Sequence, residues 1–82
     1  MNDFDEEIDS KLENILKKIF QIDKIDLENS MDDIPEWDSF RHILLLTKIE
    51  NEFKIKIKMS DFTVMTSIPI IKSKIEMYLN EK

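Results

Sequence analysis

The sequence predicts an all-α fold: one domain of four helices, with a long connection after the first helix and a short third helix. Two long segments, residues 4–20 and 40–53, carry apolar side chains at helical spacing. A further helix start is indicated by Ser67 followed by Pro69. One short segment alternates apolar and polar residues, but the chain offers no second strand to pair with it.

Length and charge narrow the class of protein. The 82 residues are enough for a single domain, and we expect it to span residues 1–82. Residues 1–36 contain twelve acidic and four basic side chains, within a formal net charge of −6 for the chain. This acidic half would repel phosphates, so we expect no nucleic-acid partner.

Residue usage bears on the compartment and on the helix ends. The chain contains no cysteine and no apolar run of the ~20 residues that a membrane span needs. Its acidic N-terminal residues are unlike those of a signal peptide. We therefore expect a cytoplasmic protein without a membrane span, acting as a monomer. The chain also contains no glycine, which implies that its helices end on Asn, Lys or Gln.

The first predicted helix covers residues 4–20. Its apolar stripe consists of Ile8, Leu12, Ile15, Leu16, Ile19 and Phe20. Its start is crowded by acidic residues, namely Asp3, Asp5, Glu6 and Glu7. Consecutive helical positions do not converge on one point, so we interpret these carboxylates as compensation of the helix dipole. We predict no metal site.

Residues 21–37 form the long connection. Such a length without strong periodicity is unusual in a compact domain unless the segment is anchored. The expected anchors are Ile22, Ile25, Leu27, Met31 and Ile34. Pro35 ends any helical turn before it and biases Ile34 toward extended backbone.

The second helix is predicted from Ser39 to Asn51 or Phe53, with Asp38 and Ser39 as favourable residues at its N-terminus. It carries more apolar side chains than one face can hold. Leu45, Leu46, Ile49 and Phe53 share one face and are expected to face the core. The remaining apolar residues, Phe40, Ile43 and Leu44, are then left for contacts outside the domain.

The remaining elements are shorter. Residues 54–58 are expected to form an extended linker with Ile57 pointing inward, because a lone strand cannot satisfy its backbone. Ser60 is predicted to cap a short helix through about Met65, with Phe62 inward. The last helix is capped by Ser67, and its inner stripe comprises Ile68, Ile71, Ile75 and either Leu79 or Tyr78.

The sequence Asp38-Ser39-Phe40, which opens an apolar helix ending in Glu50-Asn51-Glu52-Phe53, resembles the acyl carrier protein family. The usual motif of that family is Asp-Ser-Leu, so Phe40 occupies the Leu position and Asp38 is the motif neighbour. The resemblance implies that Ser39 carries 4′-phosphopantetheine, derived from coenzyme A, whose thiol holds an acyl or aminoacyl thioester. The long first loop and its acidic pair, Asp32 and Asp33, fit the same family.

The resemblance also implies the partners. A phosphopantetheinyl transferase would modify the chain, and enzymes that activate and transfer acyl or aminoacyl groups would use it. The carrier itself is not an enzyme. We expect partners to dock on a face that includes Trp37, Arg41, Ile43, Leu44 and Lys48.

Departures from the family pattern favour a specialised, free-standing carrier. The family's usual Gly two residues before the motif Asp is Glu36 here, followed by Trp37. Fatty-acid carriers show acidic residues along the second helix, whereas this chain has Arg41, Leu44 and Lys48 there. This composition weakens acid-to-base recognition and strengthens apolar contact, which is typical of a dedicated set of partners.

Other functions compete with this prediction. The chain could serve general fatty-acid synthesis, or act as a non-modified helical adaptor that docks through the second helix. A small hydrolase using Ser39 and His42 is a third alternative, but no third group orients the histidine and no glycine builds a nucleophile elbow. In a carrier, His42 and Arg41 are expected to meet the phosphate arm or a partner enzyme.

The cargo pocket of the family lies between the second and third helices. The resemblance places Phe62, Leu46 and Ile57 in its lining. These bulky side chains argue against deep storage of a long acyl chain.

Overall fold

A computed structural model describes residues 3–81, with side chains described from residue 6 onward. Within this part, four α-helices follow in order: α1 (Asp3–Phe20), α2 (Ser39–Phe53), α3 (Met59–Phe62) and α4 (Ile68–Asn80). The predicted all-α, four-helix fold with a long first connection and a short third helix is confirmed.

Helix α1 is the centre of the core, since it contacts both α2 and α4. Its predicted stripe is buried except for Ile19, which is partly buried against the same cluster. The buried members are Ile8, Leu12, Ile15, Leu16 and Phe20. Dipole compensation by the acidic start of α1 stays a prediction at Asp3 and Asp5, whose side chains lie outside the described residues.

Helices α2 and α4 complete the core with the faces that their spacing predicted. The buried residues of α2 are Leu45, Leu46, Ile49 and Phe53. Those of α4 are Ile68, Ile71, Ile75 and Tyr78, while Leu79 is only partly buried. Ser67 caps α4 as expected, because its Oγ accepts a hydrogen bond from the Ile70 N–H at 3.3 Å. Pro69 lies in the first turn, where no N–H is needed.

The long connection is held by both side chains and backbone. Ile34 is buried, and the other predicted anchors, Ile22, Ile25, Leu27 and Met31, are partly buried against the core. The Met31 N–H donates to the Thr66 carbonyl at 2.8 Å, and the Ile68 N–H donates to the Asn29 carbonyl at 2.9 Å. These bonds join the connection to the segment before α4.

Two helices end on left-handed residues other than glycine. Gln21 follows α1 with φ of 56°, and Lys54 follows α2 with φ of 57°, residue types that the lack of glycine predicted. The prediction fails at the other two ends, where Thr63 follows α3 and Glu81 follows α4 in right-handed backbone. A side chain with a Cβ costs on the order of 1 kcal/mol in this conformation. Elsewhere in residues 3–81 no φ is positive, so the turn at Glu36 does not need the glycine found in the family.

The third helix differs from its prediction. It begins at Met59 and ends at Phe62, and Lys58 is its N-cap, so Ser60 lies inside the helix and does not cap it. The reason is that the extended linker continues through Lys58, whose carbonyl accepts from the Asp61 N–H at 2.9 Å. Ile55 is buried together with Ile57, because residues two apart in extended backbone point to the same side.

No helix within residues 3–81 combines the length and the hydrophobicity required to span a membrane.

Replacing Ile49 with Ala tests this packing. Because Ile49 is fully buried, the substitution leaves a cavity and should lower the free energy of unfolding by about 2–5 kcal/mol, measured by chemical denaturation. Thr47→Ala, on the exposed side of the same helix, is the control and should change it by less than about 0.5 kcal/mol. Equal midpoints for Ile49→Ala and the wild type would contradict the buried face assigned to α2.

Candidate functional site

Ser39 is the first residue of α2, and its side chain is exposed. Asp38 fixes this helix start as the N-cap. Its Oδ1 accepts from the Arg41 N–H at 2.8 Å, and its carbonyl accepts from the His42 N–H at 2.8 Å. The Ser39 hydroxyl therefore stands on a rigid helix terminus and is open to solvent.

Arg41 is partly exposed and bends back toward the preceding loop. Its Nη1 donates to the Glu36 carbonyl and to Asp38 Oδ2, both at 3.4 Å. The guanidinium charge is thus partly balanced by the Asp38 carboxylate. As a result, Arg41 and Asp38 together form an ion pair with no net charge at the start of α2.

His42 links α2 to two other segments through both of its ring nitrogens. Trp37 Nε1–H donates to His42 Nδ1 at 3.0 Å, and His42 Nε2 lies 2.7 Å from the Phe62 carbonyl oxygen. An indole N–H can only donate and a carbonyl can only accept, so the proton of the neutral imidazole is assigned to Nε2. We call this pair of hydrogen bonds the histidine bridge.

The prediction that Trp37 contacts partner proteins is wrong. Its side chain is only 3% exposed, because the indole packs on the Phe20 ring at 5.5 Å between centroids and its N–H is bonded to His42. Trp37 is therefore a core residue whose hydrogen bond to His42 helps to position the site. The spacing of five residues across a helix start could have suggested this pairing, but a sequence does not show which way an indole points.

His42 was expected to meet the phosphate arm or a partner enzyme, but its hydrogen bonds are made within the protein. The imidazole is half-buried, and both nitrogens bond within the protein. Neither lone pair nor N–H is left to activate the Ser39 hydroxyl as a nucleophile. This geometry disfavours the hydrolase hypothesis.

An open groove of about 350 Å³ lies beside Ser39, between α2 and α3. Its lining residues are Met31, Ser39, His42, Ile43, Phe62, Thr63 and Thr66. Phe62 lies here as expected, but Leu46 and Ile57, which were expected with it, belong to the buried core. The groove is therefore an open surface feature with a mainly apolar lining.

The outward side of α2 is apolar next to Ser39. Phe40 is 70% exposed, Ile43 55% and Leu44 42%, and Lys48 is exposed one turn beyond Leu44. No acidic residue lies between Ser39 and Lys48. We call Phe40, Ile43, Leu44 and Lys48 the α2 face.

A second polar cluster holds α3 against α4. The Tyr78 hydroxyl donates to Asp61 Oδ2 and accepts from the Lys58 N–H at 3.0 Å, and Lys74 Nζ lies 3.3 Å from Asp61 Oδ1. The Tyr78 hydrogen bond, helped by Lys74, lowers the pKa of Asp61 below its ordinary 3.8 although burial opposes the shift. Burial raises the pKa of Tyr78 above its ordinary 10.0, and the hydrogen bond to Asp61 is the second cause of the increase.

Sequence reasoning missed this cluster, because its members are up to twenty residues apart and lie on different elements. Among the described side chains, no group of three or more histidine, cysteine or acidic residues is placed to hold a metal ion.

The Asp61 cluster makes stability depend on pH in a defined direction. A lowered pKa means that the carboxylate stabilises the folded state above pH 3.8, and that this contribution is lost as the pH falls below it. We expect Asp61→Asn to destabilise the protein at about pH 6 and to have a smaller effect at about pH 3. Chemical denaturation at both pH values measures the difference.

Asp23→Asn, at an exposed position of the long connection, is the matched control and should show little effect at either pH. An effect of Asp61→Asn that is the same at both pH values would contradict the assignment.

The fold was compared with solved structures. The solution NMR structure of holo acyl carrier protein from Geobacter metallireducens matches with a TM-score of 0.80 and 26% sequence identity. The match covers 90% of this chain and 86% of that chain. No protein-family model matches the sequence, and no curated protein matches it. The structural match confirms the family resemblance that the sequence indicated.

Proposed function

We propose that this chain, which has the fold of the acyl carrier proteins, is an acyl carrier that bears 4′-phosphopantetheine on Ser39. One observation carries the proposal: the motif serine is exposed at the first position of α2, in a chain that folds like a holo acyl carrier protein. When bound, the group supplies a terminal thiol that holds an acyl or aminoacyl group as a thioester.

The residues around Ser39 fit this group. The hydroxyl is accessible, and the groove beside it leaves room for an attached arm. Asp38 accepts the Arg41 N–H with one oxygen and the Arg41 guanidinium with the other, which keeps its carboxylate directed at the helix start. Phe40 points outward at the family's Leu position, where a modifying enzyme can contact it.

Attachment would require a partner enzyme with its own base. In the transfer, Ser39 Oγ forms a bond to the pantetheine-side phosphorus of coenzyme A, the bond to 3′,5′-ADP breaks, and the hydroxyl proton must be accepted. His42 cannot accept it, because Nδ1 already accepts from Trp37 and Nε2 carries a proton. The base that accepts the proton is therefore assigned to the phosphopantetheinyl transferase.

The chain itself performs no chemistry in this proposal. It supplies a rigid, capped helix start and a flexible attached arm, which together raise the local concentration of thioester at each partner enzyme. The partners are enzymes that activate and transfer acyl or aminoacyl groups. The cytoplasmic location, the monomeric state and a single carrier domain over residues 1–82 stay predictions from the sequence.

The α2 face supports a specialised carrier over one of general fatty-acid synthesis. Fatty-acid carriers, by the resemblance, present acidic residues on this helix to basic patches on their enzymes. Here the exposed residues are apolar, and Lys48 is the charged member of the face. A basic patch would meet like charge, whereas an apolar or acidic patch would be complementary.

Modification of Ser39 is the direct test. Incubation with coenzyme A and a broad-specificity phosphopantetheinyl transferase should add the mass of one phosphopantetheine to the intact protein, and peptide mapping should place it on Ser39. Ser39→Ala should abolish the mass gain, and Ser60→Ala, at an exposed serine of α3, should preserve it. Wild-type protein left unmodified by several different transferases would support the non-modified adaptor instead.

The chemistry of the α2 face gives a second test. Leu44→Glu with Lys48→Glu introduces two carboxylates on one helical face, one turn apart. Acyl loading by a malonyl transferase of fatty-acid synthesis should then rise roughly tenfold at low salt, because charge complementarity speeds association. The gain should shrink at high salt.

Lys56→Glu with Met77→Glu makes the same charge change away from α2 and serves as the control. Efficient and salt-insensitive loading of the wild type would contradict the specialised carrier and favour a role in general fatty-acid synthesis.

A further inference from the structure

We infer that the histidine bridge keeps the cargo outside the helix bundle, so that this carrier takes short acyl or aminoacyl groups and does not store a long alkyl chain. The inference rests on the proposed function, since it concerns the group that Ser39 would carry. It assigns His42 and Trp37 as residues that determine specificity for cargo.

The bridge crosses the place where a chain would enter. Ser39, His42 and Phe62 line the same groove, and the 2.7 Å bond from His42 Nε2 to the Phe62 carbonyl joins α2 to α3 there. An alkyl chain passing from Ser39 toward the core between these helices would have to separate them. That movement breaks the bond.

Breaking the bridge is unfavourable because its far end is buried. Trp37 is 3% exposed, and its indole N–H donates to His42 Nδ1. If the imidazole turned away to follow an opening of α3, that donor would lose its acceptor in a place screened from water. The packing of Trp37 on Phe20 ties the indole to α1 and prevents it from following.

Helix α3 is held on its other side as well. Asp61, the neighbour of Phe62, accepts the hydroxyl of Tyr78 and lies 3.3 Å from Lys74 Nζ, and both partners belong to α4. Two consecutive residues of a four-residue helix are thus fixed to α2 and to α4. An opening motion of α3 must break both sets of contacts.

The space behind the bridge is filled. Leu46 on α2 and Met65 after α3 have no exposed surface. Protein interiors are close-packed, so an inserted alkyl chain would have to displace side chains of this kind. The groove outside the bridge, in contrast, is open and offers Thr63 and Thr66 beside Met31 and Ile43. Its lining is mainly apolar and lies at the surface, so it can cover a short group but cannot enclose a long alkyl chain.

A series of thioesters tests the inference. The protein is loaded on its arm with acetyl, aminoacyl, octanoyl and dodecanoyl groups, and thermal unfolding is followed by the emission of its one tryptophan, Trp37. A sequestered chain would stabilise the folded state. For the wild type we expect midpoints that agree within about 1 °C across the series.

His42→Ala removes both bonds of the bridge and should create dependence on chain length. In this variant the dodecanoyl form should melt about 4 °C or more above the acetyl form. His42→Gln retains a hydrogen-bond donor and an acceptor at this position. The difference in melting temperature between its dodecanoyl and acetyl forms should therefore be smaller than in His42→Ala. Thr47→Ala, away from the groove, is the control and should behave as the wild type.

The outcomes separate the two proposals. No mass gain at Ser39 would overturn the carrier function and this inference together. Normal loading with a wild-type midpoint that rises with chain length would overturn the inference alone, even if His42→Ala failed to fold. If His42→Ala folds and its unfolding midpoint is as independent of acyl chain length as that of the wild type, the histidine bridge is not what excludes the long chain.

Discussion

The two hydrogen bonds of His42 hold together the segments that surround Ser39. One bond reaches back to Trp37 in the long connection, and the other reaches forward to the backbone of Phe62 at the end of α3. Because Trp37 packs on Phe20, the bridge is continuous with the core around α1. The position of the groove beside Ser39 therefore depends on one neutral imidazole with a defined proton.

Helix α3 shows why such contacts are needed. Four residues form a single turn, which cannot be stable in water on its own. Its position is set by the histidine bridge to α2 and by the Asp61 cluster with α4. The first contact is made to the Phe62 carbonyl and the second to the Asp61 carboxylate, both at partly buried residues. With α3 fixed on two sides, the carrier that we propose would hold its cargo at the surface, beside the open groove and the apolar α2 face.

Much of the fold could be predicted from the sequence because its helices bury regular stripes. The spacing of apolar residues in α1 and α2 was enough to identify core residues such as Leu45, Leu46 and Ile49. Local chemistry was equally informative at Asp38, Ser67 and Pro69, where capping and ring geometry act within one turn. The missing glycine predicted Asn, Lys or Gln at the helix ends, which holds for α1 and α2, whereas Thr63 and Glu81 follow α3 and α4. The motif serine at a helix start needed no tertiary information.

Tertiary structure decided the surroundings of that serine. Trp37 was expected on the docking face, yet it is buried and its orientation depends on Phe20, seventeen residues earlier. The roles of His42 and Asp61 depend on partners seventeen to twenty residues away, and no local pattern encodes such pairs. The sequence by itself therefore determined the helices, their inner faces and the candidate attachment site. Only the packing of the buried Trp37 indole on Phe20 and its hydrogen bond to His42 decided how the groove is closed, because contacts between residues distant in the chain exist only after it has folded.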